Sequence, residues 1–147
     1  MGYNLLPNVE FVVVEAAAAA AQTELTTEVI DTADCDGVVF VAHLGDVSDG
    51  SVLGFVADDS ATGVGAWDDL EGPLAFTAGA TSADNKLLIL DVYAPERRYV
   101  RARLTRTTAN AVVNGITAIK YGKRSVPVTQ GATVLASGLL ANPARAA

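Results

Sequence analysis

The chain has 147 residues, half of them hydrophobic, and a formal net charge of −7. A domain of that length buries enough surface to fold without a metal or a disulfide. Its longest uninterrupted apolar run, Ala16–Ala21, and shorter runs such as Phe11–Val14 are far shorter than the roughly 20 residues of a membrane span. Its acidic charge argues against a nucleic-acid partner, because the phosphates of nucleic acids attract cations.

The N-terminus lacks the basic region of a signal peptide, and Glu10 and Glu15 interrupt what would be its apolar core. The single cysteine, Cys35, cannot form an internal disulfide. We therefore expect the protein to fold in a reducing cytoplasm.

The two parts of the chain carry opposite charge. Residues 1–85 contain fifteen Asp and Glu and no Lys or Arg, whereas residues 86–147 contain ten Lys and Arg and two acids, Asp91 and Glu96. The charges are therefore −15 and +8, which together give the net charge of −7. A partner that is itself charge-patterned, including another copy of this protein, fits both parts.

The three segments between residues 9 and 30 do not predict β-strands equally well. Val9–Val14 has the β-branched density of a first strand or arm. The alanines of Ala16–Ala21 fit either a short turn of helix, since alanine is the best helix former, or a thin strand. Gln22–Ile30 alternates, with Leu25 and Thr27 on one face, and predicts an edge strand with a solvated side.

Further along the chain, strand-favouring runs alternate with turn residues about every 8–12 residues, which indicates an all-β sandwich or barrel. The predicted strands are Val38–Leu44, Ser51–Ala57, Leu74–Thr77, Lys86–Tyr93, Tyr99–Arg106 and a last strand after Asn110 that runs to about Tyr121. The predicted turns and loops are Asp31–Gly37, Gly45–Gly50, Asp58–Gly65, Gly79–Asn85 and Thr107–Asn110. A tight hairpin turn at Asn114-Gly115 is an alternative to a continuous last strand.

These patterns predict about eight antiparallel strands between an N-terminal arm and a C-terminal tail. We expect an arm or first strand over residues 1–21, a β-sandwich domain over residues 22–122 and an extended tail over residues 123–147. The tail is rich in Pro, Ala, Gly and Ser and has too few large apolar groups to form its own core.

The strand Tyr99–Arg106 has two chemically different sides, since alternate residues of a strand point in opposite directions. The apolar side consists of Val100, Ala102 and Leu104, and the polar side contains Tyr99, Arg101 and Arg103. Arginine suits interfaces because its planar guanidinium binds carboxylates bidentately and is weakly hydrated.

We predict that this region binds a partner surface. The candidate partner-binding residues are Arg97, Arg98, Tyr99, Arg101, Arg103 and Arg106. On this hypothesis a charge reversal of Arg101 and Arg103 leaves folding intact and weakens assembly. The alternative is a solvated strand face without a partner.

The sequence contains no catalytic or cofactor motif, and we expect neither enzymatic activity nor a metal site. The acidic turns at Asp34–Gly37 and Asp46–Gly50 lack the spacing of a calcium loop and are interpreted as ordinary turns. His43 and Cys35 are too few for zinc, and Ser48 does not lie in a nucleophile elbow. Aromatic residues that could stack on sugars leave a carbohydrate-binding module as an alternative function. They are Trp67, Tyr93, Tyr99 and Tyr121.

Three segments resemble a family of bacteriophage proteins. They are Asp91–Arg101 (Asp-Val-Tyr-Ala-Pro-Glu-Arg-Arg-Tyr-Val-Arg), Thr108–Gly122 and Val29–Phe40. The resemblance extends over about residues 22–130, to small structural proteins encoded beside the major capsid protein in tailed phages. It implies a head decoration, or cement, protein with a jelly-roll fold, of the kind that sits outside an icosahedral shell and bridges capsomers, often as a dimer.

The resemblance thus implies a virion protein made in the host cytoplasm and located on the capsid exterior. Its expected partners are the major capsid protein and a second copy of itself, with neither nucleic acid nor membrane involved. The family offers no catalytic residues. Another virion part, such as a tail-tube or head-completion subunit, is a further alternative.

Overall fold

The computed structural model describes residues 4–140, and every regular element in that range is a β-strand. The strands are β1 (Glu10–Glu15), β2 (Ala18–Ala21), β3 (Leu25–Thr26), β4 (Ile30–Asp31), β5 (Gly37–Val47), β6 (Val52–Ser60), β7 (Asp68–Asp69), β8 (Leu74–Thr77), β9 (Leu87–Tyr93), β10 (Tyr99–Thr107) and β11 (Ala111–Tyr121). Between residues 4 and 140 no helix has the length and hydrophobicity needed to cross a bilayer.

The strands form two antiparallel sheets. Sheet A has the order β1-β11-β5-β9, and β2 also pairs with β11. Sheet B has the order β3-β10-β6-β7, with β4 also paired to β10 and β8 to β6. The predicted all-β sandwich is therefore confirmed.

The eleven strands occupy eight positions in the two sheets. β1 and β2 share one position beside β11, β3 and β4 share one beside β10, and β7 and β8 share one beside β6. Along the chain these positions fall in sheets A, B, A, B, B, A, B and A, with four positions in each sheet. This is the strand order of a jelly roll, so the predicted fold and its approximate number of strand positions are correct.

Alternate residues of the long strands build the core between the sheets. Val100, Ala102 and Leu104 of β10 are completely buried, as their alternation predicts. Phe40 of β5 and Ile116 of β11 are equally buried and belong to the same apolar cluster. Each such large side chain contributes about 1.5–3 kcal/mol through removal from water, which fixes the side of β10 that faces inward.

The alanine run forms a strand rather than a helical turn. Ala18–Ala21 pairs with β11, with Ala21 opposite Ala111 and Ala18 opposite Val113. The predicted arm or first strand is therefore an edge of sheet A over residues 10–21.

Residues 22–30 do not form one continuous strand, contrary to the alternation. β3 and β4 pair with β10 in registers that differ by one residue. Between them the Thr27 N–H donates to Ala102 O at 2.9 Å, and the Thr27 hydroxyl accepts the Ala102 N–H at 3.0 Å. This bulge reverses the alternation, so Ile30 is buried and Val29 is exposed.

The predicted loop at Asp58–Gly65 begins too early. β6 continues through Ser60, and Asp58 and Asp59 are only 1% and 5% exposed. The expectation is wrong because acidic residues can remain in a buried strand when cations lie opposite them, as Arg101 lies opposite Asp58.

Two further boundaries differ from the sequence pattern. β5 extends to Val47, so the turn predicted from Gly45 starts later. β11 runs continuously through Asn114-Gly115, which excludes the hairpin. Gly115 has a φ of +136° at a register shift against β5, and a Cβ there would lie 3.3 Å from Glu15 O. The Asn-Gly pair is thus a bulge that requires glycine.

Residues 122–140 form no strand, but they attach to the outer edge of β1. Gln130 Oε1 accepts the Phe11 N–H at 2.9 Å, and Gln130 Nε2 donates to Val9 O at 2.8 Å. Thr133 Oγ1 accepts the Val13 N–H at 3.1 Å. Side chains of this segment thus replace a neighbouring strand. Residues 141–147 of the predicted tail and 1–3 of the predicted arm lie outside the described residues.

Candidate partner-binding surface

Two of the predicted arginines lie on the outer face of sheet B. Arg101 and Arg103 project from β10 on the side opposite the core, as predicted, with Asp58 and Val56 of β6 as their cross-strand neighbours. β7 adds Asp69 opposite Asp58. We call this surface the arginine face, defined by Tyr99, Arg101 and Arg103 together with Glu24, Asp58 and Asp69.

Asp58 is the centre of the arginine face. Its carboxylate accepts Arg101 Nε at 3.1 Å and Arg103 Nε and Nη2 at 2.7 and 3.1 Å. Burial alone would raise the pKa of Asp58, but its hydrogen bonds, that from Arg103 first, hold this pKa below its usual value. The two guanidiniums therefore stabilise a carboxylate that is almost fully removed from water.

Both arginines have additional partners. Arg103 Nη2 donates to Asp69 at 2.7 Å, and its Nη1 donates to Glu24 at 3.3 Å. The Arg101 guanidinium carbon lies 4.2 Å from the centroid of the Trp67 ring, a cation–π contact. The side chains of Arg101 and Arg103 are consequently only 24% and 22% exposed.

Arg97 and Arg98 lie at the start of β10 and are more accessible, with 41% and 54% of their side chains exposed. Arg97 pairs with the exposed Asp68, and its Nη1 also lies 3.9 Å from Oδ1 of the nearly buried Asp59. Arg98 donates twice to Asp31, at 2.8 and 2.7 Å, and its guanidinium lies 5.1 Å from the Tyr99 ring centroid. The hydrogen bond from Arg98 is the largest influence that lowers the pKa of Asp31, to about 2.

Arg106 does not belong to this surface. It shares the inward side of β10 and is 2% exposed. Its guanidinium donates to Ala19 O at 2.9 Å, to Ala111 O at 2.7 Å and to Thr23 O at 3.0 Å, and burial lowers its pKa. Arg106 therefore ties three chain segments together, a position that gives a partner no access to its charge.

The ion pairs explain the charge difference between the two parts of the chain. Each ion pair between described residues joins an acid from residues 10–69 to a base from residues 97–124. The fold thus brings the negative and positive parts together within one molecule. The asymmetry in the sequence is accounted for without a charge-patterned partner.

The outer face of sheet A has the opposite character, and the sequence analysis does not single it out. We call it the apolar face, defined by Phe11, Val13, Val39, Val41, Leu87, Ile89 and Ile119. Val41 lies between Thr117 and Ile89, and the side chains of Val13, Leu87 and Ile89 are 47%, 53% and 54% exposed. The sequence does indicate this face, because Leu87–Leu90 of β9 is apolar on both sides of the strand.

The weaker chemical candidates lie apart from one another. His43 is exposed on the outer side of β5, beside the apolar face. Cys35 is buried, and burial raises the pKa of its thiol. Within residues 4–140 no three His, Cys, Asp or Glu side chains lie close enough to hold a metal ion.

The four candidate sugar-stacking aromatics are divided between the sheets. Tyr93 and Tyr121 flank the same residue of β5 in sheet A, and Tyr93 is 71% exposed. Trp67 and Tyr99 lie at sheet B, each with an arginine over its ring. The four rings therefore do not form one stacking platform.

Comparison with known proteins gives a likeness of fold. No protein-family model and no curated protein sequence matches the chain. The crystal structure of PBSX exported protein XepA is similar with a TM-score of 0.52 and 16% identity, over 96% of this chain and 46% of XepA. The chain thus spans about half the length of XepA. The structure of Eiger TNF from S. frugiperda aligns with a TM-score of 0.36 and 8% identity, over 90% of this chain and 92% of that one.

Proposed function

We propose that this protein is a structural component of a bacteriophage virion, which binds the outside of the capsid and cements neighbouring capsomers. The observation that carries the proposal is where the phage-like segments lie in the jelly roll. Val29–Phe40 covers β4 and the start of β5, Asp91–Arg101 connects β9 to β10, and Thr108–Gly122 contains β11. The resemblance thus falls on framework strands of both sheets.

The likeness to PBSX exported protein XepA supports the proposal at the level of fold. A jelly roll is an architecture that viral capsid domains use repeatedly. The major capsid protein is the proposed partner, and a second copy of the chain is the proposed neighbour on the shell.

The rim formed by Arg97, Arg98 and Tyr99 is the part of the predicted site that we assign to capsid contact. Exposed ion pairs are worth little, so Arg97 and Arg98 can exchange Asp68 and Asp31 for carboxylates of the capsid at small cost. Many copies on one lattice let a modest single contact suffice.

The test is sedimentation of purified protein with capsid shells that lack it. We expect the wild-type protein to sediment with the shells, and the double variant Arg97→Ala with Arg98→Ala to bind several-fold more weakly, with a smaller salt dependence. Arg124→Ala is the matched control, because Arg124 is also exposed, at 58%, and is paired with Asp36. The control should bind as the wild type does.

Protein left wholly in the supernatant contradicts the proposal. Equal binding by the double variant and the wild type would remove Arg97 and Arg98 from the contact surface. Gold labelling of intact particles tests the location, and label on the tail instead of the shell would assign the protein to another virion part.

A further inference from the structure

β9 is an edge strand of sheet A that no other strand covers in the described part of the chain. Its seven residues contain one charge, Asp91, and no proline. Natural proteins usually protect such an edge with charges, proline, a bulge or a covering segment. β9 combines a regular register against β5 with exposed apolar side chains at Leu87 and Ile89.

The opposite edge of the same sheet is protected. Along β1, Gln130 and Thr133 accept the N–H groups of Phe11 and Val13. Residues 70–73 lie nearest to the open edge of β9, but a cavity of about 180 Å³ lies between them and Leu90–Tyr93. Within residues 4–140 no backbone hydrogen bond joins that loop to β9.

Hydrogen bonds at the two ends of β9 show which of its backbone groups are unpaired. The Leu44 N–H donates to Lys86 O, and the Ala94 N–H donates to Asp36 O, both at 2.8 Å. In an antiparallel pair of strands, the backbone groups of successive residues point alternately toward the neighbouring strand and away from it. Because the groups of residues 86 and 94 bond toward β5, the N–H and C=O groups of residues 88, 90 and 92 also point toward β5. The groups of residues 87, 89, 91 and 93 therefore point away from the sheet, and these are also the residues with exposed side chains.

We infer that β9 pairs with β9 of a second copy, antiparallel, across a two-fold axis that passes beside Leu90. This assignment rests on the self-association in the proposed function and names the surface that carries it. Pairing about Leu90 aligns all seven residues and opposes the unpaired backbone groups of the two strands. Strand addition of this kind supplies main-chain hydrogen bonds as well as side-chain contacts.

The charges around β9 favour a second copy as the occupant. Lys86 and Glu96 are exposed at opposite ends of the strand, and in the described part of the chain neither has an ion pair. Antiparallel pairing brings the Lys86 end of each copy to the Glu96 end of the other. The register about Leu90 also places Asp91 opposite Ile89, so the two Asp91 carboxylates do not oppose each other. The surface is thus self-complementary, as a two-fold interface requires.

Size-exclusion chromatography with light scattering and sedimentation equilibrium test the contact without any capsid. We expect the wild-type protein to be a dimer and Ile89→Asp to dimerise roughly tenfold more weakly or worse, since it opposes like charges twice across the axis. Val13→Asp is the matched control, because Val13 is similarly exposed on the same face at the protected edge. The control should dimerise as the wild type does.

A compensating change tests the register. Combining Ile89→Asp with Asp91→Lys places opposite charges across the axis at both positions if the strands pair about Leu90, and dimerisation should recover. A double variant that stays as weak as Ile89→Asp contradicts this register. A wild-type monomer, or an Ile89→Asp variant that dimerises normally, overturns the proposal.

Hydrogen exchange on the wild-type protein gives a result that does not depend on any variant folding. The amides of residues 87, 89, 91 and 93 should become more protected as protein concentration rises. Across the concentration range in which light scattering shows the monomer converting to the dimer, unchanged protection of these amides would mean that the dimer does not cover the β9 edge, and would overturn the proposal.

The two proposals fail separately. A monomer that sediments with shells removes the β9 contact and leaves capsid binding. A dimer that stays in the supernatant removes capsid binding and leaves the β9 contact.

Discussion

The outer faces of the two sheets differ in how far their side chains find partners within the chain. On the arginine face, Asp58 is buried between two guanidiniums, and Arg101 and Arg103 find their partners within the chain. On the apolar face, Leu87 and Ile89 remain half exposed beside a strand edge that no other strand covers in residues 4–140. The difference teaches that a concentration of charge in the sequence does not by itself mark the surface that needs a partner.

The energetics of association follow from this contrast. A partner at Arg101 and Arg103 would have to exchange one carboxylate for another, and such exchange yields little net free energy. A strand that adds to β9 exchanges water for backbone hydrogen bonds and apolar contacts. We therefore expect the arginine face to govern the stability of the monomer and the β9 edge to govern self-association.

The largest expected effect comes from reversing the two charges at the centre of the arginine face. Arg101→Glu combined with Arg103→Glu surrounds a nearly buried Asp58 with carboxylates. Removing one member of a buried ion pair typically costs about 3–5 kcal/mol, so reversing two should cost at least about 5 kcal/mol, comparable to the whole free energy of unfolding. Urea unfolding followed by circular dichroism measures the loss.

The control is Arg98→Glu combined with Arg124→Glu, which reverses two arginines whose partners, Asp31 and Asp36, are also exposed. This variant should keep most of the wild-type free energy of unfolding, because water screens exposed pairs. Equal stability of the two double variants would show that burial of Asp58 contributes nothing. The sequence-based expectation that reversal at Arg101 and Arg103 leaves folding intact does not fit the geometry of Asp58.

The sequence predicts the strands better than it predicts their partners. The alternation in Tyr99–Arg106 correctly separates Val100, Ala102 and Leu104 from Arg101 and Arg103, because period-two burial is a local property. The same alternation puts Arg106 on the core side, where an arginine is unexpected. That position is favourable because the carbonyl groups of Ala19 and Thr23, more than 80 positions away, converge there with that of Ala111, and no local pattern encodes the convergence.

Local patterns also fail where one residue shifts the register. In residues 22–30 the alternation is correct as far as Thr27, whose hydroxyl replaces a backbone group and lets Ile30 turn inward. Asp58 and Asp59 have the composition of a loop, and arginines in and just before β10 compensate their charge within the strand. In each case the deciding interaction is with a residue roughly 40 to 75 positions away in the chain, and that pairing is set by topology rather than by neighbours.

A smaller effect tests the contrast between the two edges of sheet A. Gln130→Ala removes the side chain that bonds to Phe11 N–H and Val9 O, and we expect a loss of about 1–2 kcal/mol together with faster exchange of the Phe11 amide. Gln22→Ala is the matched control, since Gln22 is exposed and makes one long contact, 3.4 Å, to Asn110. Identical stability and exchange in both variants would mean that residues 122–140 do not protect β1.

The smallest expected effect is on the free energy of unfolding at acidic pH. The carboxyl of Asp31 takes up a proton near its ordinary pKa of 3.8 when unfolded but near 2 when Arg98 holds it in the native state. Between about pH 4 and pH 2 the unfolded chain therefore binds more protons, and the free energy of unfolding falls as pH decreases. Because 44% of the Asp31 side chain is exposed, we expect this group to contribute less than about 1 kcal/mol. Urea unfolding across that range should show a shallower pH dependence for Asp31→Asn than for the wild type, and the difference should shrink at high salt. Parallel curves for the two proteins at low salt would show that the Arg98 pair adds nothing to stability, in keeping with an exposed arginine that is free to change partners.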